Sequence, residues 1–161
     1  MKNKEHLPIF GIGPFLVVGM TVVAAAAIIV FYYGLKLGTV SGFPAILLIA
    51  VGIALIITGL FVWFIGAMRS GMDDHIKENH LKTDGIYARV RNPMYSGWWI
   101  LITGISLIWH NIFLIPVIII NWGIMTVVLK ATEEKWLREL YGREYEDYCK
   151  RVNRCIPWKR K

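Results

Sequence analysis

Cysteine is nearly absent from this 161-residue chain, with only Cys149 and Cys155 present, both close to the C-terminal end. Their spacing suits no metal, and no pair of histidines accompanies them, which argues against a zinc site; no metal is expected anywhere in the chain. No prenylation box follows Cys155, so both cysteines are expected to be free thiols in a reducing compartment. Also missing are a Gly-rich nucleotide loop, a nucleophile elbow and a His-Glu metal-binding helix, which removes the enzyme classes built on those devices. The long apolar runs contain no acidic or basic residue, which counts against an ion-coupled transporter, since such proteins need ionisable groups at membrane depth.

What is abundant is hydrocarbon. Hydrophobic residues make up 56% of the chain, and they come in blocks rather than scattered, which places the chain in the membrane class rather than among soluble domains. A first block runs from about Pro14 to Leu35 and continues through Ile28-Ile29-Val30-Phe31 without a polar cleavage segment. It is therefore expected to be a retained spanning helix, not a signal peptide. Tyr32 and Tyr33 sit at its end, where an interfacial aromatic belt belongs. A glycine-bearing turn, 36–41, leads to a second block, Phe43 to Met68. In that block Ala45, Gly52, Gly59 and Gly66 recur every seven residues and line one face, a pattern that lets membrane helices approach closely; the alternative use of such a face is a cofactor groove. Two shorter blocks, Met94 to Trp109 and Ile112 to Leu129, are expected to form a tight helical hairpin, with Pro116 kinking the return helix near its start.

The charges sort by side. The net charge is +7, yet 17 of the 18 Lys and Arg residues fall in the N-terminal segment, the central loop and the stretch from Lys130 onward, leaving Lys36 alone in the opposite connections. That asymmetry predicts four helices with both termini in the cytoplasm, and it reports orientation rather than nucleic-acid binding. The central loop (69–93) and the tail (132–161) then face the same compartment. In the tail, Trp136, Leu137 and Leu140 share a stripe that passes to Tyr145, Tyr148 and Val152 beyond Gly142. A straight helix would not rotate its apolar face so far, so a bend or break is expected there. Glu134/Arg138, Glu139/Arg143, Glu146/Lys150 and Asp147/Arg151 are spaced as i,i+4 ion pairs on other faces.

Two places carry candidate chemistry. Asn92-Pro93 has the form of an N-cap and first helical residue, and a helix start offers N–H groups and positive potential to a carboxylate or phosphate. Tyr95 lies in that first turn, and Arg91 just outside it. Glu133 falls at the centre of an inward-facing stripe. A carboxylate there requires a cation or hydrogen-bond donor, which is either Arg89 or Arg91, or a bound cationic ligand. Tyr87, Tyr95, Tyr141, Tyr145 and Tyr148 mark the membrane interface singly, and as a set could enclose a cationic heterocycle.

These residues carry a resemblance. Leu81-x-Thr83-x-Gly85-Ile86-Tyr87, then Arg91-Asn92-Pro93-Met94-Tyr95-x-Gly97, and later Glu133-Glu134 with Tyr141-Gly142-x-Glu144-Tyr145-x-x-Tyr148-x-x-Arg151-Val152 and Ile156-Pro157, are similar to the integral-membrane methyltransferases related to isoprenylcysteine carboxyl methyltransferase and the phospholipid N-methyltransferases. The match covers roughly the C-terminal half. Asn92 stands where the eukaryotic carboxyl methyltransferases usually have His, and Leu129 where they place a substrate-binding Arg; Asn-Pro-Met-Tyr is close to the phospholipid enzymes. The resemblance implies S-adenosylmethionine as methyl donor, contacted at the cytoplasmic face by His80, Leu81, Lys82, Tyr87, Asn92, Pro93, Met94, Tyr95, Glu133 and its neighbour Glu134. Arg91, with Arg151 second, is expected to orient an anionic acceptor group. The sequence therefore leads to an all-α polytopic membrane protein of four helices (1–131), with a cytoplasmic helical tail capping the site. Its expected partners are membrane lipids and a lipophilic or lipid substrate, the phospholipid amine or a small thiol being alternative acceptors. No nucleic acid and no obligate protein partner are expected. The competing class is a non-enzymatic membrane scaffold.

Overall fold

A computed structural model describes residues 12–68 and 81–156. The architecture is all-α, and among the described residues the only β features are two isolated bridges, Thr39 with Asn111 and Val90 with Asn153. Helix α1 (Gly13–Ile28) carries Pro14 in its first turn and is extended by a π-helical stretch, Ile29–Gly34. Helix α2 covers Phe43–Met68. A 3₁₀ turn at Gly85–Ala88 precedes α3 (Pro93–Ile108), followed by α4 (Leu114–Ala131), α5 (Glu133–Tyr141) and α6 (Arg143–Arg151). Three stretches are long and apolar enough to cross a membrane: Gly13–Gly34, Phe43–Met68 and Leu114–Tyr141. Helix α3 is equally apolar but has 16 residues, about 24 Å at the α-helical rise.

The seven-residue repeat of small residues in α2 is a packing surface. Ala45, Gly52, Gly59 and Gly66 are its buried residues, and every neighbouring face is exposed or half-exposed apolar side chain. Helix α3 runs antiparallel along that stripe with glycines of its own at the same interval. A Cβ on Gly59 would lie 2.5 Å from the Leu101 nitrogen and 2.7 Å from the Gly97 carbonyl oxygen. One on Gly97 would meet the Trp63 nitrogen at 2.5 Å, and one on Gly104 the Gly52 carbonyl at 2.6 Å. Gly66 faces Pro93 and Met94. The backbones themselves are in contact, so this face leaves no room for a cofactor groove. Where apolar side chains meet lipid as readily as each other, such close approach and the dispersion it brings is what pairs two helices.

The remaining helices close around a second core. Leu16, Met20 and Ala24 of α1, Ile102 of α3, Met125 and Leu129 of α4, and Cys155 beyond α6 form one buried cluster, bordered by Tyr95, Trp98 and Trp99. Both cysteines are free thiols as expected, but Cys155 is only 6% exposed, because the chain after α6 turns back into the bundle. Pro116 is the third residue of α4, where an N–H has no intrahelical acceptor, so no kink is required. At the end of the bundle away from the tail, the 36–41 turn docks on residues 109–112. Val40 N–H donates to the His110 carbonyl (2.7 Å), Ile112 N–H to that of Gly38 (2.9 Å), and Asn111 Nδ2 to that of Leu37 (2.7 Å). Tyr32 and Tyr33 pack edge-on against Trp109.

The break read at Gly142 separates α5 from α6, with Gly142 at φ +53°. The second half of the stripe is buried as expected: Tyr145, Tyr148 and Val152 form a cluster with Leu81, Leu137, Tyr141 and Cys149. Of the expected i,i+4 pairs, Asp147 instead joins Lys150 at i,i+3 (2.8 Å), while Arg151 Nε donates to the Asp147 backbone carbonyl.

The α2–α3 contact makes a quantitative demand. Gly59→Ala or Gly97→Ala is expected to cost about 1–3 kcal/mol or more by forcing the backbones apart. Gly123→Ala, whose new methyl would meet nothing within 4 Å, is expected to leave the melting temperature in detergent unchanged or slightly raised.

Candidate functional site

The loop before α3 is shaped by the tail. Val90 pairs with Asn153, the Arg91 N–H donates to the Asn153 carbonyl (2.9 Å) and the Asn92 N–H to that of Arg154 (3.0 Å). The 3₁₀ turn at 85–88 is held the same way, since the Tyr148 hydroxyl donates to the Tyr87 carbonyl at 2.6 Å. Central loop and tail thus form one wall, joined backbone to backbone.

Asn92 precedes Pro93 at the start of α3, as expected, but its side chain does not cap the helix. Its carbonyl accepts both the Ser96 N–H and the Ser96 hydroxyl, while its Nδ2 is buried without an acceptor among the described residues. Tyr95, one turn in, reaches across to α5 and donates its hydroxyl to Glu133 Oε1. Neither Arg89 nor Arg91 is therefore the partner of Glu133; a neutral phenol is. Gly13 makes this contact possible, because a Cβ there would stand 2.6 Å from the Tyr95 hydroxyl oxygen. Tyr87 completes the group. Its phenol is pushed up to about 12, first by burial and then by the negative charge of Glu133 close by, so it stays protonated.

Beside this group lies a second, fully ionic one. Glu134 was expected on a solvated face opposite Arg138. Instead it is 3% exposed, with Arg154 forking onto it (Nε to Oε1 2.5 Å, Nη2 to Oε2 2.7 Å) and Arg91 Nη2 3.4 Å from Oε1. Arg91 also donates to the Tyr145 hydroxyl (3.3 Å) and to Cys149 Sγ, and its guanidinium lies over the Tyr145 ring. Arg91 is thus inside the protein, bonded to the tail. Burial keeps the phenols of Tyr145 and Tyr148 well above the usual tyrosine range, with Glu134 adding to the effect at Tyr145.

The other candidate positions divide. Pro93 and Met94 face Gly66 of α2. Leu81 packs on Tyr145 and Tyr148, and Lys82 is half-buried beside it in sequence. Arg151 lies on the exposed outer face of α6 and does not join either group. His80 falls outside the described residues. Three participants carry no sequence signal: Gly13, whose role is an absent side chain, Arg154, one cation among the ten from Lys130 onward, and Cys155. No group of residues able to hold a metal occurs among those described.

Cys155 gives this junction a pH signature. Burial pushes its thiol up to about 11, with a hydrogen bond to Ser96 pulling the other way. In the unfolded chain the thiol ionises near the ordinary value of about 8.5, so above that the unfolded state binds fewer protons than the folded one. Stability is therefore expected to be intact at neutral pH and to fall as pH rises from about 8.5 towards 11. Thermal melts across that window should show this slope flattened in Cys155→Ala.

Comparison with known proteins identifies the family of the chain. The sequence model of the phospholipid methyltransferase family matches residues 40–144, from the end of the first turn to the start of α6. A probable protein-S-isoprenylcysteine O-methyltransferase of Oryza sativa subsp. indica is 28% identical over 116 residues, which is 67% of this chain and 60% of the relative. The protein-S-isoprenylcysteine O-methyltransferase of Schizosaccharomyces pombe is 35% identical over 82 residues, covering 50% of this chain and 34% of the relative. For isoform B of Arabidopsis thaliana the identity is 32% over 84 residues, covering 51% and 42%. The chain thus spans at most 60% of the length of these curated relatives. No solved structure matches. Its apolar helices fit an integral membrane protein, and the match over most of its length makes this chain a member of the phospholipid methyltransferase family.

Proposed function

We propose that the chain is a membrane methyltransferase that uses S-adenosylmethionine and acts on a lipophilic or amphiphilic acceptor. The observation that carries this reading is the Glu133 carboxylate, set against the phenols of Tyr87 and Tyr95 beside the start of α3. A donor with an amino group, a carboxylate and a sulfonium needs an anionic partner and an anion-accepting one close together. Glu133 is the first: its hydrogen-bond partner in the structure is one neutral hydroxyl, so its charge is not cancelled. The second is the start of α3, whose first N–H groups lack intrahelical acceptors, with the buried and unpartnered Asn92 Nδ2 beside it. The residues present therefore fit such a donor, with Glu133 holding the amino group, the helix start holding the carboxylate, and Tyr87 and Tyr95 flanking it.

When bound, the donor supplies a methyl group on a sulfonium, which leaves by in-line displacement to give a neutral thioether. The chain's own work is alignment and exclusion of water. Tyr95 fixes the Glu133 carboxylate, and the Tyr148–Tyr87 bond fixes the loop. With the tail bonded to the loop, the site is walled from the water side, which leaves the acceptor a sideways approach through the lipid. Arg91 is buried and bonded to Glu134, Tyr145 and Cys149, so the acceptor's charged group is not its first partner. Leu129 is fully buried in the helix core, so no cation faces a carboxylate from that position. This favours an amine on a phospholipid as the second acceptor reading beside the prenylcysteine carboxylate.

In the membrane we read α1, α2, α3 and α4 as four spans, the last two a hairpin, with both termini and the site on the cytoplasmic side. The support is the placement of 17 of 18 cations, and the pairing of α3 with α2 from Gly66 back to Gly52 despite α3's shorter length. A membrane-impermeant maleimide applied to sealed right-side-out vesicles is expected to label Lys36→Cys and to spare Lys135→Cys; the reverse pattern refutes the orientation.

Equilibrium binding of S-adenosylmethionine to the purified protein tests the activity. Glu133→Ala is expected to weaken binding by about tenfold or more, the loss of a charge-assisted contact. Absence of binding to the wild type, or undiminished binding to the variant, refutes the reading. Thin-layer separation of lipids after transfer of a labelled methyl group then distinguishes a phospholipid product from a prenylcysteine ester.

A further inference from the structure

Two adjacent glutamates begin α5, and the structure sends them to different places. Glu133 goes to Tyr95 in the first group, whereas Glu134 is enclosed by Arg154 and Arg91 in the second. The two arginines it holds also carry, or adjoin, the backbone groups that join tail to loop: Arg91 N–H to Asn153, and Asn92 N–H to Arg154. The connection therefore closes on itself, through backbone pairs on one side and through the Glu134 carboxylate on the other, with Arg91 also bonded to Tyr145 and Cys149.

From this geometry we infer that Glu134 and Arg154 are positioning residues, the pin that holds the tail against the 81–92 loop and so shapes the donor site without touching the donor. The inference rests on the reading of that site as a methyl-donor site, and it assigns different work to two neighbouring acids. Glu133 faces the ligand and Glu134 faces the protein. Without the Glu134 charge, the buried Arg91 guanidinium and the partly buried one of Arg154 would lie together with no counter-charge, and a buried pair broken on one side is far costlier than one replaced whole. The cluster relieves this by opening. The Asn153 and Arg154 carbonyls then leave Arg91 and Asn92, and Tyr148 is free to leave Tyr87. The start of α3 and the Tyr87 turn lose the wall that holds them, while Tyr95 and Glu133, joined through the helices, remain.

The test is hydrogen exchange on the full-length protein in detergent without ligand, paired with steady-state kinetics on S-adenosylmethionine. Glu134→Gln is expected to raise exchange together in 81–92 and 143–156 and to leave the α2–α3 glycine contact protected. Its KM for the donor should rise about tenfold or more with kcat changed by less than about threefold, the pattern of lost binding rather than lost chemistry. Arg154→Gln should do the same, and Arg154→Lys, which keeps the charge, should recover most of both. Should Glu134→Gln fail to fold, Arg154→Gln decides alone, since its side chain is 18% exposed and easier to replace. Unchanged exchange in the variants overturns the inference, as does a fall in kcat at constant KM, which would put Glu134 at the reacting atoms. If the wild type binds no donor, the donor reading falls, and the exchange result still decides whether Glu134 pins the tail.

Discussion

A carboxylate held between two guanidiniums is the constraint on which the loop-and-tail half of this protein depends. Glu134, Arg91 and Arg154 come from three separate stretches of chain; Glu134 and Arg91 are buried, and the partly exposed Arg154 reaches Glu134 from the end of the tail. Such a cluster adds little net stability compared with well-packed hydrocarbon, since removing three charges from water offsets most of their attraction. What it supplies is register. A greasy contact between tail and loop could slide, whereas a forked Arg–Glu pair alongside two backbone hydrogen bonds fits in one arrangement.

The membrane half solves the same problem by the opposite means. There the fixed point is a row of missing side chains. Gly52, Gly59 and Gly66 against Gly97 and Gly104 allow backbone to lie on backbone, and the seven-residue interval keeps the contact in phase along the length of α3. That contact sets where α3 begins, and therefore where Asn92, Pro93 and Tyr95 stand. Helix α1 then closes the site through another glycine, Gly13, under the Tyr95 hydroxyl. The Tyr95–Glu133 bond spans the two systems, with its donor on a helix placed by glycine packing and its acceptor on a helix placed beside the ion cluster.

The parts of this arrangement that were legible beforehand are those with a period or a break. Helix extents followed from apolar blocks, the α2 packing face from the spacing of its glycines, and the Gly142 break from a stripe that changed sides. Glu133 stood out because a carboxylate at the centre of an apolar stripe has to find a donor. Of the two partners its position leaves open, a nearby arginine or a bound cation, the structure removes the first, because Arg91 is bonded to Glu134 and Glu133 to the Tyr95 hydroxyl. Glu134 was misjudged. Four residues from Arg138 on a helix, it has the form of a surface pair, and nothing in that local spacing shows that Arg154 returns from beyond α6 to enclose it.

By itself the sequence determined the class of protein, the number and approximate ends of its apolar helices, the stripe on which two of them meet, and the residues that resemble a methyltransferase motif. These are local properties, set by periods of a few residues and by the cost of burying charge. Only the tertiary structure pairs Glu133 with a phenol and Glu134 with two arginines, bonds Arg91 to the tail, leaves the Asn92 side chain uncapped and returns Cys155 to the core. All of these but the Asn92 side chain depend on contacts between residues twenty or more positions apart. The energy of such a contact comes from what the fold brings near, and no neighbour in the chain records it.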